Sequence, residues 1–412
     1  MPTATVADAD QILRQLLGAS SAPPDPYPLY HRLRDLAPVH RSDLDGVWYV
    51  TGHEAARGLL LDPRIGKSPG GRIRRFGVSE EQAARFARRR RPSMITANPP
   101  DHTRLRFPAR GPFLPRHLEQ LAPRIEEIIA ERLDVIAARG DADVMADLAL
   151  ELPVTVIGEL VGVPPADRRQ FPELVFRFFA AGRPEATAEQ VDAAEAAGDA
   201  MRAYFSALIA ERRTRPRDDL LGHLVAVRDG VEALSEDELM GTITLIFVAG
   251  FITTSTLIGN GLLALARHPG EMDRLWTQPG LVPGAVEEML RYDAPVQLVD
   301  RTVLAGTEVD RRALPAGDGV VVLLGAANRD PQQFADPDRF DVARPNANQH
   351  LSFAWGLHHC LGAGLARLEA TLVFASLIRR FARVDVLDLD PPRRPGVAFR
   401  TLVRLPVRVT PR

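Results

Sequence analysis

The sequence predicts a mainly α protein with small β-sheets, one domain spanning 1–412 and arranged around a long central helix. Three observations carry that prediction. Eleven stretches repeat apolar residues at i, i+3 and i+4, a spacing that stacks them on one helix face. Leu239 to Ala266 holds no charged residue and is far longer than a strand. Only short runs alternate or are rich in β-branched residues.

Along the chain, apolar spacing and capping residues place helices at 27–35, 53–61, 79–90, 115–138, 141–162 and 166–181. The same signals continue at 187–214, 235–267, 269–276, 281–292 and 363–382. The repeat in 115–138 runs through Ile125, Ile128 and Ile129, while 235–267 opens on Ser235 with Glu238 three residues on, a reciprocal capping pair. Strands are expected at 37–42, 46–51, 298–304, 318–323 and within 384–410. Proline-bearing turns punctuate the chain and no repeat or low-complexity linker divides it, hence the single domain.

Composition narrows the partners. Lys+Arg of 51 against Asp+Glu of 53 gives a net charge of −2, which offers no global attraction to nucleic acid or to an anionic membrane. Lys67 is the one lysine among those 51 basic residues, a coding bias without physical weight. The run Arg85, Arg88, Arg89, Arg90 and Arg91 reads as a solvated helix face. Met1 to Ala22 has no apolar core, so neither a signal peptide nor an anchor is expected, and a cytoplasmic location follows. Leu239–Ala266 is long enough to cross a bilayer. It also carries Thr242, Thr244, Thr253, Thr254, Ser255, Thr256 and Asn260, which favours a helix buried in protein.

Cys360 is the sole cysteine, so it makes no internal disulfide and no multi-cysteine metal site. A lone cysteine is usually a small buried hydrophobe. Its neighbours argue otherwise: Gly356 and Gly362 flank it at −4 and +2, and the following helix points free N–H groups and its positive dipole end toward the sulfur. Both favour a thiolate that can ligate metal.

Phe353, Gly356, His358, Cys360 and Gly362 resemble the haem-binding signature of the cytochrome P-450 family, and the order of elements resembles that fold over the whole chain. The resemblance implies a bacterial haem-thiolate monooxygenase that holds haem b, iron protoporphyrin IX. It makes Cys360 the axial ligand and implies that His358, His102, Arg106 and Arg301 meet the haem propionates. Ala249, Gly250 and Thr253 match the oxygen-binding segment. Glu288 and Arg291 match the family's Glu-x-x-Arg pair, with Arg339 as the arginine that completes it. The chain departs from the pattern at Ala354, where a second glycine is usual, and at Ile252, where an acid is usual. Pro108 should kink or stop the helix that carries Arg106.

By the same resemblance the substrates are O2 and a hydrophobic small molecule of secondary metabolism, facing Phe247, Phe251, Val296, Leu298 and Val299. Electrons would come from a ferredoxin and its reductase, with Arg104, Arg110 and Arg367 as docking charges. Other readings stay open at this point. A haem sensor or carrier would need no oxygen segment, Ile252 leaves room for atypical oxidative chemistry, and a cysteine hydrolase would pair Cys360 with His358 or His359.

Overall fold

A computed structural model describes residues 6–17, 23–68, 91–180, 186–228 and 234–412. Helices α1 Val6–Leu17, α2 Tyr27–Leu36, α3 His53–Leu61, α4 Asp101–Ala109, α5 Pro115–Arg139, α6 Glu151–Val161 and α7 Phe171–Ala180 come first. Then follow α8 Ala188–Thr214, α9 Leu220–Arg228, α10 Glu236–Arg267, α11 Pro269–Thr277, α12 Val282–Tyr292, the short α13 Leu324–Ala327 and α14 Ala363–Arg380. The strands are β1 Val39–Arg41, β2 Trp48–Val50, β3 Ile65–Gly66, β4 Asp141–Asp143 and β5 Val299–Val303. They continue with β6 Thr307–Val309, β7 Arg312–Leu314, β8 Gly319–Val322, β9 Phe381–Val386 and β10 Pro406–Pro411. The helix expected over 79–90, with Arg85, Arg88, Arg89 and Arg90, lies outside the described residues. Arg91 is described and pairs with Asp237 at 3.2 Å.

The helix expected over 141–162 is broken. Asp143 Oδ1 accepts from the Met145 and Leu405 amides, and Asp147 Oδ2 accepts from the Asp143 amide. These bonds hold the chain as strand β4 and a wide turn at Met145–Ala149 before α6 begins. The stretch 166–181 divides into a tight turn, Pro165–Gln170, and α7. Helices α1, α9 and α13 were not among the expected ones, and α4 was expected only as the helix that carries Arg106. Pro108 proves compatible with α4: it sits in the last turn, Phe107 stays helical, and the helix closes one residue later at Ala109.

Strands β1-β2-β8-β5-β3 form a mixed five-stranded sheet, β4-β10-β9 a second sheet, and β6-β7 a hairpin. The main sheet is covered on both faces. Trp48, Val50, Val320 and Val322 face the cluster beneath α3, whereas Tyr49, Val321 and Leu323 face α1 and α2. That alternation explains why these strands read as unbroken apolar runs.

The helical core is organised by α10. Its N-terminus has the expected cap, with the Ser235 hydroxyl accepting from the Glu238 amide at 3.2 Å and Glu238 Oε2 accepting from the Ser235 amide at 2.8 Å. The stretch that has the length and hydropathy of a membrane span is 72% buried inside the protein. Two of its hydroxyls are spent on a carbonyl of the helix itself: Ser255 and Thr256 both donate to Ile252 O at 2.8 Å. Gly250 lets α6 cross closely, since a methyl there would stand 2.6 Å from Ile157 Cγ1.

Candidate active site

The segment before α14 curls around Cys360. The Cys360 amide donates to Phe353 O at 3.0 Å, closing the loop. Gly356 has φ +70, and a side chain there would meet Leu60 O at 2.2 Å, so only glycine fits. Ala354 has φ +54, which explains the family's glycine at this position. Its methyl is buried against the sheet cluster, so the left-handed strain of about 1–2 kcal/mol is partly offset by about 0.8 kcal/mol of burial.

Cys360 is exposed, and the space it faces is internal: it lines a cavity of about 930 Å³. Burial pushes its thiol up, while the Gly362 amide, Arg106 and Arg367 pull against that rise. The amide at the helix terminus thus acts toward the thiolate, as expected, against the larger effect of burial. A bound cation reverses this balance, because its charge favours the deprotonated sulfur. Among the described residues no histidine nitrogen bonds to the Cys360 sulfur, so the structure offers no cysteine–histidine nucleophile pair.

A second layer fixes the loop. Glu288 and Arg291 are both fully buried, and Arg291 Nε and Nη2 donate to the two Glu288 oxygens at 2.6 and 2.8 Å. The remaining Arg291 donors reach Asn328 O, Pro337 O and Arg339 O. The third side chain is Arg344, whose Nε donates to Glu288 Oε1 at 3.1 Å. Arg339, the residue expected there, contributes only its carbonyl; its side chain is 61% exposed and lies 3.7 Å from Asp341. Asn328 carries the network onward, bonding the Leu351 amide and the Ser352 hydroxyl immediately before Phe353.

Sequence reasoning also missed Glu287 and His350. Arg367 donates to Glu287 at 2.6 and 3.0 Å and lies 4.5 Å over the Phe353 ring. Burial raises the Glu287 carboxyl, but hydrogen bonds from His350 and Arg367 outweigh it and hold the group at about 2. Two of the three proposed docking charges are thus already paired: Arg367 with Glu287, and Arg104 with Glu238 and Asp101. Arg110 stacks on Phe107 at 4.1 Å.

Four expected basic groups gather beside the cysteine loop; Arg106, Arg301 and His358 line the cavity, and His102 packs on His358. His102 on α4 and His358 in the loop meet edge to face at 4.7 Å between centroids. Both His102 ring nitrogens and His358 Nε2 are buried without a hydrogen-bond partner. Arg301, inward on β5, spends one donor on the neighbouring Asp300 carbonyl at 2.8 Å. Arg106 donates to His359 O at 2.8 Å and also lines the cavity, despite Pro108. Burial, then Arg301, Lys67, His102 and Arg106, push His358 down to about 3. The two guanidiniums, Arg106 and Arg301, bond only backbone carbonyls and the imidazoles are neutral with unused nitrogens, so the site has donors to spare for an anionic edge.

Ala249, Gly250, Ile252 and Thr253 line the cavity from α10. The Thr253 hydroxyl donates to Ala249 O at 3.1 Å, the ordinary bond of a mid-helix threonine. Gly250 lines the cavity, and an added Cβ there would meet Ile157. Val296, Leu298 and Val299 line the cavity as expected. Phe247 and Phe251 do not; they are fully buried with Phe171 and Phe205 in an aromatic stack behind the helix.

One sulfur, a rim of basic side chains with unused donors and a largely apolar chamber fit a flat metal-bearing ligand with anionic substituents. The cytochrome P450 family model matches residues 168–277 and 280–406. The chain is similar to cytochrome P450 monooxygenase PikC of Streptomyces venezuelae, with 40% identity over 93% of this chain and 91% of that one. It is also similar to the polyketide biosynthesis cytochrome P450 PksS of Bacillus subtilis, with 34% identity over 94% and 96%. Among solved structures, myxobacterial cytochrome P450 CYP267B1 in complex with myristic acid superposes with a TM-score of 0.84 at 37% identity, over 94% of this chain and 96% of the other.

Proposed function

The chain belongs to the cytochrome P450 family and is a haem-thiolate monooxygenase, and on that premise we propose how its residues divide the work. Residues 1–412 are read as one haem domain, the cofactor as haem b and Cys360 as its axial ligand. The observation that carries this reading is the Cys360 sulfur opening on a cavity lined by Arg106, Arg301 and His358, with His358 Nε2 and both ring nitrogens of the adjoining His102 buried and unpartnered. His102, Arg106, Arg301 and His358 would hold the propionates, and Phe353 and Gly362 would shape the sulfur pocket. Bound haem supplies the redox chemistry: reductive cleavage of O2 and insertion of one oxygen atom into a C–H or C=C bond of the substrate.

The chain's own task is then to exclude water and to move protons. Ile252 has no acidic group, and its carbonyl is taken by Ser255 and Thr256. Thr253, whose hydroxyl holds its proton toward Ala249 O, is left as the proton-handing group, together with ordered water or a substrate hydroxyl. Ala249 and Gly250 frame that hydroxyl. The wall of Val296, Leu298 and Val299 supports a mostly hydrophobic substrate, and the polyketide-biosynthesis relative supports secondary metabolism. A ferredoxin and its reductase are the proposed electron donors. A cytoplasmic location is part of the proposal, supported by the burial of α10, the one span-like helix among the described residues.

The test measures product per electron consumed with isotopically labelled O2. Wild type incorporates one labelled atom. Thr253→Ala is expected to lose at least about 10-fold in coupling, less than the ~100-fold worth of a well-placed acid because water remains. Unchanged coupling removes Thr253 from the proton route.

A further inference from the structure

The cavity has a second polar feature that the oxygen chemistry does not use. Arg394 lies in the turn 392–403, whose backbone is pinned by Arg394 N–H to Thr401 O at 2.8 Å and Val403 N–H to Pro392 O at 2.8 Å. Its guanidinium lies 3.5 Å over the ring of Phe176 on α7, and both residues line the cavity. Stacking uses the face of the guanidinium and leaves the N–H groups radiating from its edge. Arg394 Nε is buried without a hydrogen-bond partner, and no acceptor bonds any Arg394 side-chain donor among the described residues.

The other arginines on this wall differ. Arg177 pairs with Glu173 at 2.9 Å, Arg202 with Asp199 at 3.0 Å and Arg91 with Asp237 at 3.2 Å. Glu173, the carboxylate that acts on Arg394 from a distance, is therefore engaged by Arg177. A guanidinium retained unpaired in an apolar chamber costs free energy that a neutral residue would not, so its use is in recognition. Planar, bidentate donors match a carboxylate.

We propose that Arg394 is a specificity-determining residue that selects substrates carrying a carboxylate on an otherwise apolar body. This rests on the monooxygenase reading and narrows its substrate class. An ester, an alcohol or an amine of the same skeleton leaves the guanidinium unpaired or repels it, and so binds less well.

The experiment compares the holoenzyme's affinity for straight-chain fatty acids of medium to long chain with that for their methyl esters and the matching alkylamines, by calorimetry. Wild type, Arg394→Gln and Arg394→Lys are measured. A carbon monoxide difference spectrum of each confirms a folded haem protein, so failure of the monooxygenase reading shows there and failure of this proposal shows in the calorimetry. Wild type should prefer acid over ester by about 10- to 100-fold, the worth of a hydrogen-bonded charge. Arg394→Gln should lose that preference with ester affinity within about 2-fold, as expected where only the charged partner is removed. Arg394→Lys should keep part of it. A wild type that does not bind any acid more tightly than its ester or amine overturns the proposal, as does a preference unchanged in Arg394→Gln.

Discussion

Two sets of buried polar side chains support the cysteine loop, and they are built on opposite principles. Around Glu288 and Arg291 the charges are fully saturated: every Arg291 nitrogen finds an oxygen, and Glu288 takes a second arginine, Arg344. Around the cavity, His102 and His358 are left with unpartnered nitrogens and Arg301 with a single backbone acceptor. A saturated network spends its electrostatics on holding shape. An unsaturated one keeps its electrostatics for something that binds.

The comparison breaks first if the saturated set is not structural. Glu288→Ala and Arg291→Ala should each cost about 3–5 kcal/mol, enough to lose the folded holoprotein, because each orphans a buried charge. Arg344→Ala should follow, whereas Arg339→Ala should stay within about 0.5 kcal/mol, as surface changes do. Denaturant melts of the singles and of the Glu288/Arg291 double variant check this, with the double far from additive.

The unsaturated set should respond differently. Arg301→Leu removes a buried cation that hydrogen-bonds only a backbone carbonyl and feels Asp300 without bonding its carboxylate, so the apoprotein should melt within about 1 kcal/mol of wild type. The same variant should release haem more readily, by roughly 10- to 100-fold in affinity. Thermal melts of apoprotein and haem transfer to an acceptor globin read the two effects separately. A loss of apoprotein stability equal to that of Arg291→Ala would erase the distinction.

A third test uses pH on Glu287, which belongs to the saturated side. Its folded value of about 2 lies below the unfolded value near 4.3, so its contribution is present above pH ~4.3 and is lost as pH falls toward 2. Glu287→Gln should cost about 1–3 kcal/mol at neutral pH and flatten the acid limb of stability between roughly pH 4.3 and 2. Melting temperature against pH for both proteins decides it.

Much of this was legible in the sequence where the signal is local. The Ser235–Glu238 cap, the Glu288–Arg291 pair and the Cys360 loop each lie within a few residues, so spacing alone brings their groups together. Arg344 was not legible, because the choice between it and Arg339 depends on how the 335–344 loop folds back on Glu288. Phe247 and Phe251 were assigned to the wrong side because α10 is apolar all round, and an all-apolar helix does not announce its cavity face. Arg394 gave no signal at all: its meaning comes from Phe176, more than two hundred residues earlier, and from the carboxylates its neighbours already hold.

On the proposed reading Cys360 supplies the iron ligand in a cavity whose basic side chains would meet the haem. The measurement is the spectrum of the reduced protein under carbon monoxide, for wild type, Cys360→Ala and Cys360→His. Wild type should show the strongly red-shifted Soret band of thiolate ligation, absent from Cys360→Ala and replaced in Cys360→His by the shorter-wavelength band of histidine-ligated haem. A red-shifted band that survives in Cys360→Ala would contradict the assignment outright.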